Sequence, residues 1–138
     1  MNPICVRPDH VDMVWPLVEP MIEEACKTSR GRFGPEYWQR FCKHDGQLWI
    51  VTDRTDEIRA VAVSMLHEQG SRRICRLRCI AGTGMNEWVG HIRDLEIWAK
   101  AHGCDGMEIV SGRGWERVLK PHGYELTHVI LEKDLLDG

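Results

Sequence analysis

Two glycines, Gly82 and Gly84, interrupt the stretch RCIAGTGMNEW at residues 78–88. The residues before them have the pattern of a strand, and those after them have the pattern of a helix. The first N–H groups of a helix lack partners within the helix, and the helix dipole adds partial positive charge there. Glycines also let a backbone approach a ligand closely. The stretch could therefore cradle the phosphates of a nucleotide-type cofactor, or it could be an ordinary loop.

A second set of residues could move protons. His67 and Glu68 stand at the end of a long predicted strand, and Glu108 lies on a later one. Imidazole and carboxylate groups are common general bases in enzymes. Each of the three could equally be an ordinary strand-end or surface residue.

The segment RRICRLR, residues 72–78, carries four arginines in seven positions. It can be read as the charged face of a solvated or edge strand, or as a local anion site near the glycines. The formal net charge of the whole chain is −3. Because nucleic-acid and membrane-surface binding depend on excess Lys and Arg, we expect neither kind of partner.

The six cysteines form no C-x-x-C pair, and the spacing of Cys75 and Cys79 fits no common zinc module. We therefore expect no metal site and mostly buried, reduced thiols. The beginning of the sequence, MNPICVRPDH, has no apolar export segment. No uncharged run approaches the roughly 18 residues that span a bilayer. These features predict a cytoplasmic location.

The 138 residues suit one domain, 1–138, because no repeat or linker divides them. The predicted order is β-α-α-β-β-β-α-β-α-β: an α/β (α+β) fold with a mixed sheet of about six strands and helices on both faces. Pro16 and Pro20 should kink or split the first helix. The last strand is predicted at residues 124–135. The helix after the glycines has one core-facing stripe, formed by Trp88, Ile92, Leu95, Ala99 and His102.

With its last third included, the sequence resembles the GNAT superfamily, the acetyl-coenzyme-A-dependent N-acetyltransferases, over essentially its whole length. The strand before the glycine turn, the helix ending in AHGCD and the segment GRGWERVLKPHGYE carry this resemblance. The early VWPLVEPMIEEAC and QLWIVTD also resemble small GNAT-like proteins of phages and prophages. The resemblance implies a mixed, mostly antiparallel sheet whose fourth strand and third helix splay around acetyl-CoA.

In that family a loop of the form Gln/Arg-x-x-Gly-x-Gly/Ala presents backbone N–H groups to the pyrophosphate. Here Cys79 occupies the Gln/Arg position, and Arg78 lies one residue earlier. Many members also use a tyrosine as general acid at the position of Leu119. The resemblance implies that the cofactor contacts residues of the strand end and the loop: Leu77, Arg78, Cys79, Ile80, Ala81, Gly82, Thr83, Gly84 and Met85.

Two functions stay open. The first is an N-acetyltransferase that moves an acetyl group from acetyl-CoA to a primary amine of a small molecule or a protein, with His67, Glu68 or Glu108 as the base. The second is a catalytically inactive GNAT-like binding or assembly module, which could act as a homodimer. The altered loop and Leu119 favour the module, while the two glycines and the full-length order of elements favour the enzyme.

Overall fold

The computed structural model describes residues 3–27, 33–82, 85–110 and 113–135. There are also two single-turn 3₁₀ helices: Pro8–His10 lies between the first strand and the first α-helix, and Lys120–His122 follows the last α-helix of the described residues. None of the helices in the described ranges combines the length and the apolar character that crossing a membrane requires. The elements in chain order are β1 (Ile4–Val6), α1 (Val11–Cys26), α2 (Pro35–His44), β2 (Gln47–Thr52), β3 (Ile58–Gln69), β4 (Arg72–Gly82), α3 (Met85–Ala101), β5 (Gly106–Ile109) and α4 (Arg113–Leu119).

The strands form one sheet in the order β1-β2-β3-β4-β5. Strands β1 to β4 pair antiparallel with their neighbours, and β5 runs parallel to β4. The longest pairing joins β3 and β4, from Ala60 opposite Gly82 to Gln69 opposite Arg72. The mixed, mostly antiparallel sheet predicted from the sequence is therefore confirmed.

Helices cover both faces of this sheet, as predicted, and each face has its own hydrophobic core. Helices α1 and α2 pack on one face, which we call the α1 face, and α3 packs on the other, the α3 face. The buried residues of the α3-face core are Trp49, Val51, Ala60, Ala62, Leu77, Trp88 and Leu95. Those of the α1-face core are Val6, Val11, Trp15, Val18, Ile22, Trp38, Phe41, Cys42, Leu48, Val61, Val63 and Cys79.

Helix α1 is unbroken from Val11 to Cys26, so the predicted split at its prolines is wrong. Pro16 and Pro20 are four residues apart and exposed, while Val11, Trp15, Val18 and Ile22 are buried on the other side of the helix. Each proline removes a backbone donor. Burial of the apolar stripe against the sheet offsets that loss, because tertiary packing supplies most of the stability of such a helix.

The predicted last strand, residues 124–135, is also wrong, because this segment pairs with no strand in the described part of the chain. Its large apolar side chains after Tyr124 are 63% to 91% exposed: Leu126, Val129, Ile130, Leu131 and Leu135. The sequence has the composition of a strand, but a strand forms only where its backbone groups find a partner edge. The sheet described here has five strands instead of about six.

Candidate functional site

The site is built on the point where β4 and β5 diverge. Their parallel pairing ends at Leu77 opposite Ile109, and the Val110 N–H still donates to the Leu77 carbonyl at 3.1 Å. Strand β4 continues to Gly82 and pairs there with β3 alone among the described residues. One backbone edge of residues 78–82 therefore lies outside the sheet pairing, where an extended ligand could form hydrogen bonds to it.

A β-bulge marks the same point. Ser64 on β3 faces Leu77, the preceding Val63 faces Cys79, and Arg78 is the extra residue between them. Leu77 packs in the α3-face core, whereas Cys79 packs in the α1-face core. The Arg78 guanidinium lies over aromatic rings of α2, on the α1 face as well. A bulge re-aims side chains in this way, and here it brings Arg78 and Cys79 to one face.

An open cleft of about 510 Å³ lies beside the end of β4. Helix α1 lines it with Pro20, Met21, Glu24 and Ala25, and β4 lines it with Ile80, Ala81 and Gly82. Three of the predicted cofactor residues therefore border an open space. Glu24 could not be identified from the sequence, because a polar residue opposite an apolar helical stripe carries no signal that distinguishes it from other solvated positions.

Gly82 has a backbone conformation that only glycine adopts easily, with φ at +127°. A Cβ atom there would lie 2.6 Å from both the Ala60 Cα and the Arg59 carbonyl oxygen. Strand β3 therefore requires a glycine at the end of β4. Thr83 and Gly84, also predicted to contact the cofactor, lie outside the described residues, and Met85 begins α3.

The start of α3 is tied to the strand end. The indole N–H of Trp88 donates to the Ala81 carbonyl oxygen at 3.2 Å. This hydrogen bond uses a carbonyl and not a backbone amide. It therefore fixes α3 beside β4 without occupying N–H groups that could face an anion.

Two of the three predicted proton-moving residues meet. The Nε2 atom of His67 lies 3.6 Å from Oε1 of Glu108, and both side chains are about four-fifths buried. Nε2 is a buried atom without a hydrogen-bond partner in the described structure. The Arg76 Nε–H donates to the same Glu108 oxygen at 2.8 Å. The three side chains come from β3, β4 and β5; Arg76 and Glu108 form the pair before the strands diverge, and His67 stands opposite Ile74.

The electrostatics of this cluster favour an ionised Glu108. Burial by itself would raise the pKa of the Glu108 carboxyl, but the Arg76 hydrogen bond and charge, together with His67, hold the pKa below its ordinary value near 4.5. Glu108 is therefore a carboxylate at neutral pH. A carboxylate beside an imidazole orients the ring and stabilises its protonated form.

Glu68 lies apart from the cluster. Successive strand residues point to opposite faces, so Glu68 faces away from His67. Its side chain is 68% exposed and approaches Arg73 Nε at 3.9 Å. The structure thus separates Glu68 from the other two predicted bases.

The position of the family's general-acid tyrosine belongs to the core in this chain. Leu119 is buried and lines a small cavity beside α3 with Ile92. The nearby Tyr124 donates its hydroxyl to Oε2 of Glu96 at 2.7 Å. Burial and then Glu96 raise the pKa of Tyr124 above its usual range. The aliphatic side chain of Leu119 cannot donate a proton to a leaving group.

Three cysteines are buried, Cys26 and Cys104 are partly buried, and Cys5 is exposed. Burial raises the pKa of Cys42, Cys75 and Cys79 to about 12 each. Within the described ranges, no three His, Cys, Asp or Glu side chains are arranged to hold a metal ion.

The arginine-rich segment is an internal strand, so its reading as a sheet edge is wrong. Arg73 and Arg76 approach carboxylates on β3 and β5 respectively. Arg78 instead inserts into an aromatic cluster, defined by Phe33, Tyr37, Trp38 and Phe41, with ring centroids 4.9 to 5.7 Å from its guanidinium carbon.

No protein-family model matches the chain, and no curated protein is similar to it in sequence. Solved structures, however, share its fold over nearly the whole length. A probable acetyltransferase has a TM-score of 0.69 at 12% identity and covers 100% of this chain and 99% of its own. An acetyltransferase of Trypanosoma brucei has a TM-score of 0.64 at 12% identity and covers 97% and 99%.

A ribosomal-protein-alanine N-acetyltransferase from Brucella melitensis biovar Abortus 2308 has a TM-score of 0.67 at 8% identity, covering 98% of this chain and 100% of its own. At these identities the likeness concerns the fold alone. The chain has the GNAT-like fold of acetyltransferases.

Proposed function

We propose that this protein is an acetyltransferase that uses acetyl-CoA to acetylate a primary amine. The observation that carries the proposal is the divergence of β4 from β5 after Leu77 and Ile109. It leaves a strand edge, an adjoining cleft and a helix start beside one another. Strand edges bind extended chains through backbone hydrogen bonds, and helix starts favour phosphate. Acetyl-CoA has both an extended pantetheine arm and a pyrophosphate.

The residues at this site fit such a cofactor through their backbone. The Arg78 side chain faces α2 and the Cys79 side chain is buried, so neither can replace the family's Gln or Arg at the phosphates. Binding would instead depend on main-chain groups of residues 77–85, with Gly82 allowing the close approach. When bound, acetyl-CoA supplies an activated acetyl thioester. A backbone N–H near Leu77, Arg78 or Cys79 would stabilise the developing oxyanion.

For proton transfer we propose the His67–Glu108 pair. An amine must lose its proton before it attacks a thioester, and a neutral imidazole can accept that proton directly or through one water. Glu108 would then stabilise the resulting imidazolium. The 3.6 Å separation and the unsatisfied Nε2 support this pairing. Glu68, exposed and on the opposite face, stays a weaker candidate.

The second candidate function is an inactive GNAT-like module that binds or assembles with other proteins. The specific observations in its favour are the buried Leu119 and the buried Cys79, because they replace the family's general-acid tyrosine and the Gln or Arg of its pyrophosphate loop. Under either function we take the protein to act in the cytoplasm without nucleic-acid or membrane partners. We also propose that the protein can form a homodimer. The acceptor amine would belong to a small molecule or to a protein.

Thermal unfolding with and without acetyl-CoA tests the proposal. A ligand that binds only the folded state stabilises it by about 2.7 kcal/mol at a concentration of 100 Kd, so the Tm should rise by several degrees. ATP at the same concentration is the control for general anion effects, and release of free thiol in the presence of amines reports turnover. An unchanged Tm at millimolar acetyl-CoA would contradict the proposed acetyltransferase function and favour the inactive binding module.

A further inference from the structure

Arg78 occupies an unusual position within the aromatic cluster. Its guanidinium carbon lies 4.9 Å from the ring centroid of Trp38, 5.1 Å from those of Phe33 and Phe41, and 5.7 Å from that of Tyr37. One guanidinium N–H donates to the Tyr37 hydroxyl at 2.8 Å. Several ring faces and one hydrogen bond therefore fix the side chain in place.

Within the described part of the chain, the surroundings of Arg78 differ from those of the neighbouring arginines, which approach carboxylates. Arg76 donates to Glu108 at 2.8 Å, and Arg73 approaches Glu68 at 3.9 Å. No carboxylate of the described residues forms an ion pair with Arg78. Aromatic rings attract a cation and orient it, but they carry no formal charge that would neutralise it.

The location of Arg78 ties this charge to the proposed reaction centre. It is the extra residue of the β4 bulge, directly after the last residue that pairs with β5. Tyr37, its hydrogen-bond partner, is 40% exposed, so the aromatic cluster reaches the surface. A molecule that enters from the side of α2 would therefore meet a fixed guanidinium beside the strand edge where we place the thioester.

We propose that Arg78 binds a carboxylate of the acceptor, so that the acetylated amine belongs to an amino acid or to another small molecule with both an amino and a carboxylate group. This inference rests on the proposed function. Arg is suited to the task because its planar fork matches the two oxygens of a carboxylate. The same charge repels acceptors that carry only ammonium groups, such as polyamines.

The step balances as ordinary acyl transfer. The amine nitrogen, after losing one proton to the base, forms a bond to the acetyl carbonyl carbon, and the carbon–sulfur bond breaks. As the amide forms, the second amine proton passes, directly or through water, to the departing thiolate of coenzyme A, which leaves as the thiol. The carboxylate is unchanged throughout, so Arg78 would hold it before and after transfer and contribute mainly to binding.

The first experiment uses the wild-type protein and paired acceptors. Each L-amino acid of a panel is compared with its own amide, which keeps the amine and replaces the carboxylate. A charge-assisted hydrogen bond contributes about 1.5–3 kcal/mol, so kcat/KM should be about 10- to 100-fold higher for the acids. Equal rates for acids and amides, or faster amides, overturn the inference.

Variants then assign the preference to Arg78. In Arg78→Gln the acid preference should disappear through a higher KM for the acids, while Arg78→Lys should retain part of it because the charge remains without the fork. Arg40→Gln is the matched control, since Arg40 is exposed on α2. An acid preference that survives in Arg78→Gln overturns the assignment. Should that variant fail to fold, Tyr37→Phe removes only the hydrogen bond and should weaken the preference in part.

Acetyl-CoA binding separates the two levels of failure. If acetyl-CoA stabilises the protein but no acid of the panel outperforms its amide, the acceptor inference is wrong and the proposed function stands. If acetyl-CoA does not stabilise the wild-type protein, the proposed function itself fails. Retained acetyl-CoA stabilisation in Arg78→Gln, together with a lost acid preference, supports both.

Discussion

The two halves of β4 differ in what holds them. Residues 72–77 all pair with β3, residues 74–77 also pair with β5, and Arg73 and Arg76 approach carboxylates on these two neighbours. Residues 78–82 pair with β3 alone in the described structure, and the one arginine among them meets aromatic rings. In the first half the backbone groups are used in sheet pairing, so only the side chains could take part in a reaction. In the second half the backbone itself is left available to a ligand.

The bulge at Arg78 produces this difference. By adding one residue opposite β3, it changes which face the following side chains occupy and bends the strand at the point where β5 ends. The cluster of His67, Arg76 and Glu108 thus lies on one side of the bulge, and the edge that we propose for the cofactor lies on the other. Predictions at three positions, given from the largest effect to the smallest, test that division.

The largest effect concerns the fully paired half. Glu108→Gln removes the carboxylate that faces His67 and Arg76, and general-base catalysis contributes about 10²- to 10⁴-fold. We expect turnover of amines to fall by about two orders of magnitude, with the rise in Tm caused by acetyl-CoA unchanged. Glu116→Gln, an exposed position on α4, is the control. Turnover equal to wild type would remove the cluster from the mechanism.

The same variant has a signature in stability. The folded-state pKa of Glu108 is lowered, so its ionised form stabilises the protein above the ordinary value near 4.5 and this contribution is lost as the pH falls through the lowered folded pKa. The variant lacks the contribution at every pH. The difference in unfolding free energy between wild type and variant should therefore narrow between pH 7 and pH 3.

The next effect concerns the half that pairs only with β3. Gly82→Ala places a Cβ 2.6 Å from the backbone of β3 at a φ of +127°. We expect a loss of about 2–4 kcal/mol in unfolding free energy, from backbone strain of about 1–2 kcal/mol and overpacking. Acetyl-CoA stabilisation should weaken as well.

Gly70→Ala is the matched control for that loss. Gly70 also has a positive φ, +62°, but its Cβ would meet no atom within 4 Å. Only the backbone strain should remain, about 1 kcal/mol. Equal losses at the two glycines would mean that contact with β3 does not matter at Gly82.

The smallest effect lies at the junction of the halves, where Ser64 pairs with Leu77. The Ser64 hydroxyl accepts from the Trp49 indole N–H at 2.9 Å and donates to the Gln47 side-chain oxygen at 2.7 Å. Ser64→Ala leaves that indole buried without a partner, which costs about 1–3 kcal/mol by chemical denaturation. Ser71→Ala, in the exposed β3–β4 turn, should change little. A loss no larger than at Ser71 would show that the indole finds another partner.

Much of the fold could be predicted because it depends on local periodicity. The stripe on α3 is correct at Trp88, Ile92, Leu95 and Ala99, which are all buried. Its last member, His102, is exposed, since the helix is ending there. The segment 124–135 shows the limit of such patterns. Its composition indicates a strand, but whether a strand forms depends on an available edge elsewhere in the sheet.

The candidate site was predictable in part. The position of Gly82 at the end of a strand could be predicted, because a strand pattern, a glycine and a helix pattern follow one another in the sequence. The meeting of His67 and Glu108 depends on the register of three strands, one of which pairs in parallel with a strand distant in sequence, and no local pattern shows that pairing. The bulge is likewise a product of pairing. The contacts of Arg78 with residues 33–41 of the chain join distant segments, so no local pattern could have indicated them.

The buried thiol of Cys79 bears on the order of events in catalysis. Burial raises the pKa of Cys79 to about 12, so this thiol is almost entirely protonated at neutral pH. Although this sulfur belongs to the strand that borders the proposed thioester site, it is too weak a nucleophile to take the acyl group. We therefore expect no acyl-enzyme at Cys79, and direct transfer with both substrates bound would give sequential steady-state kinetics without a burst.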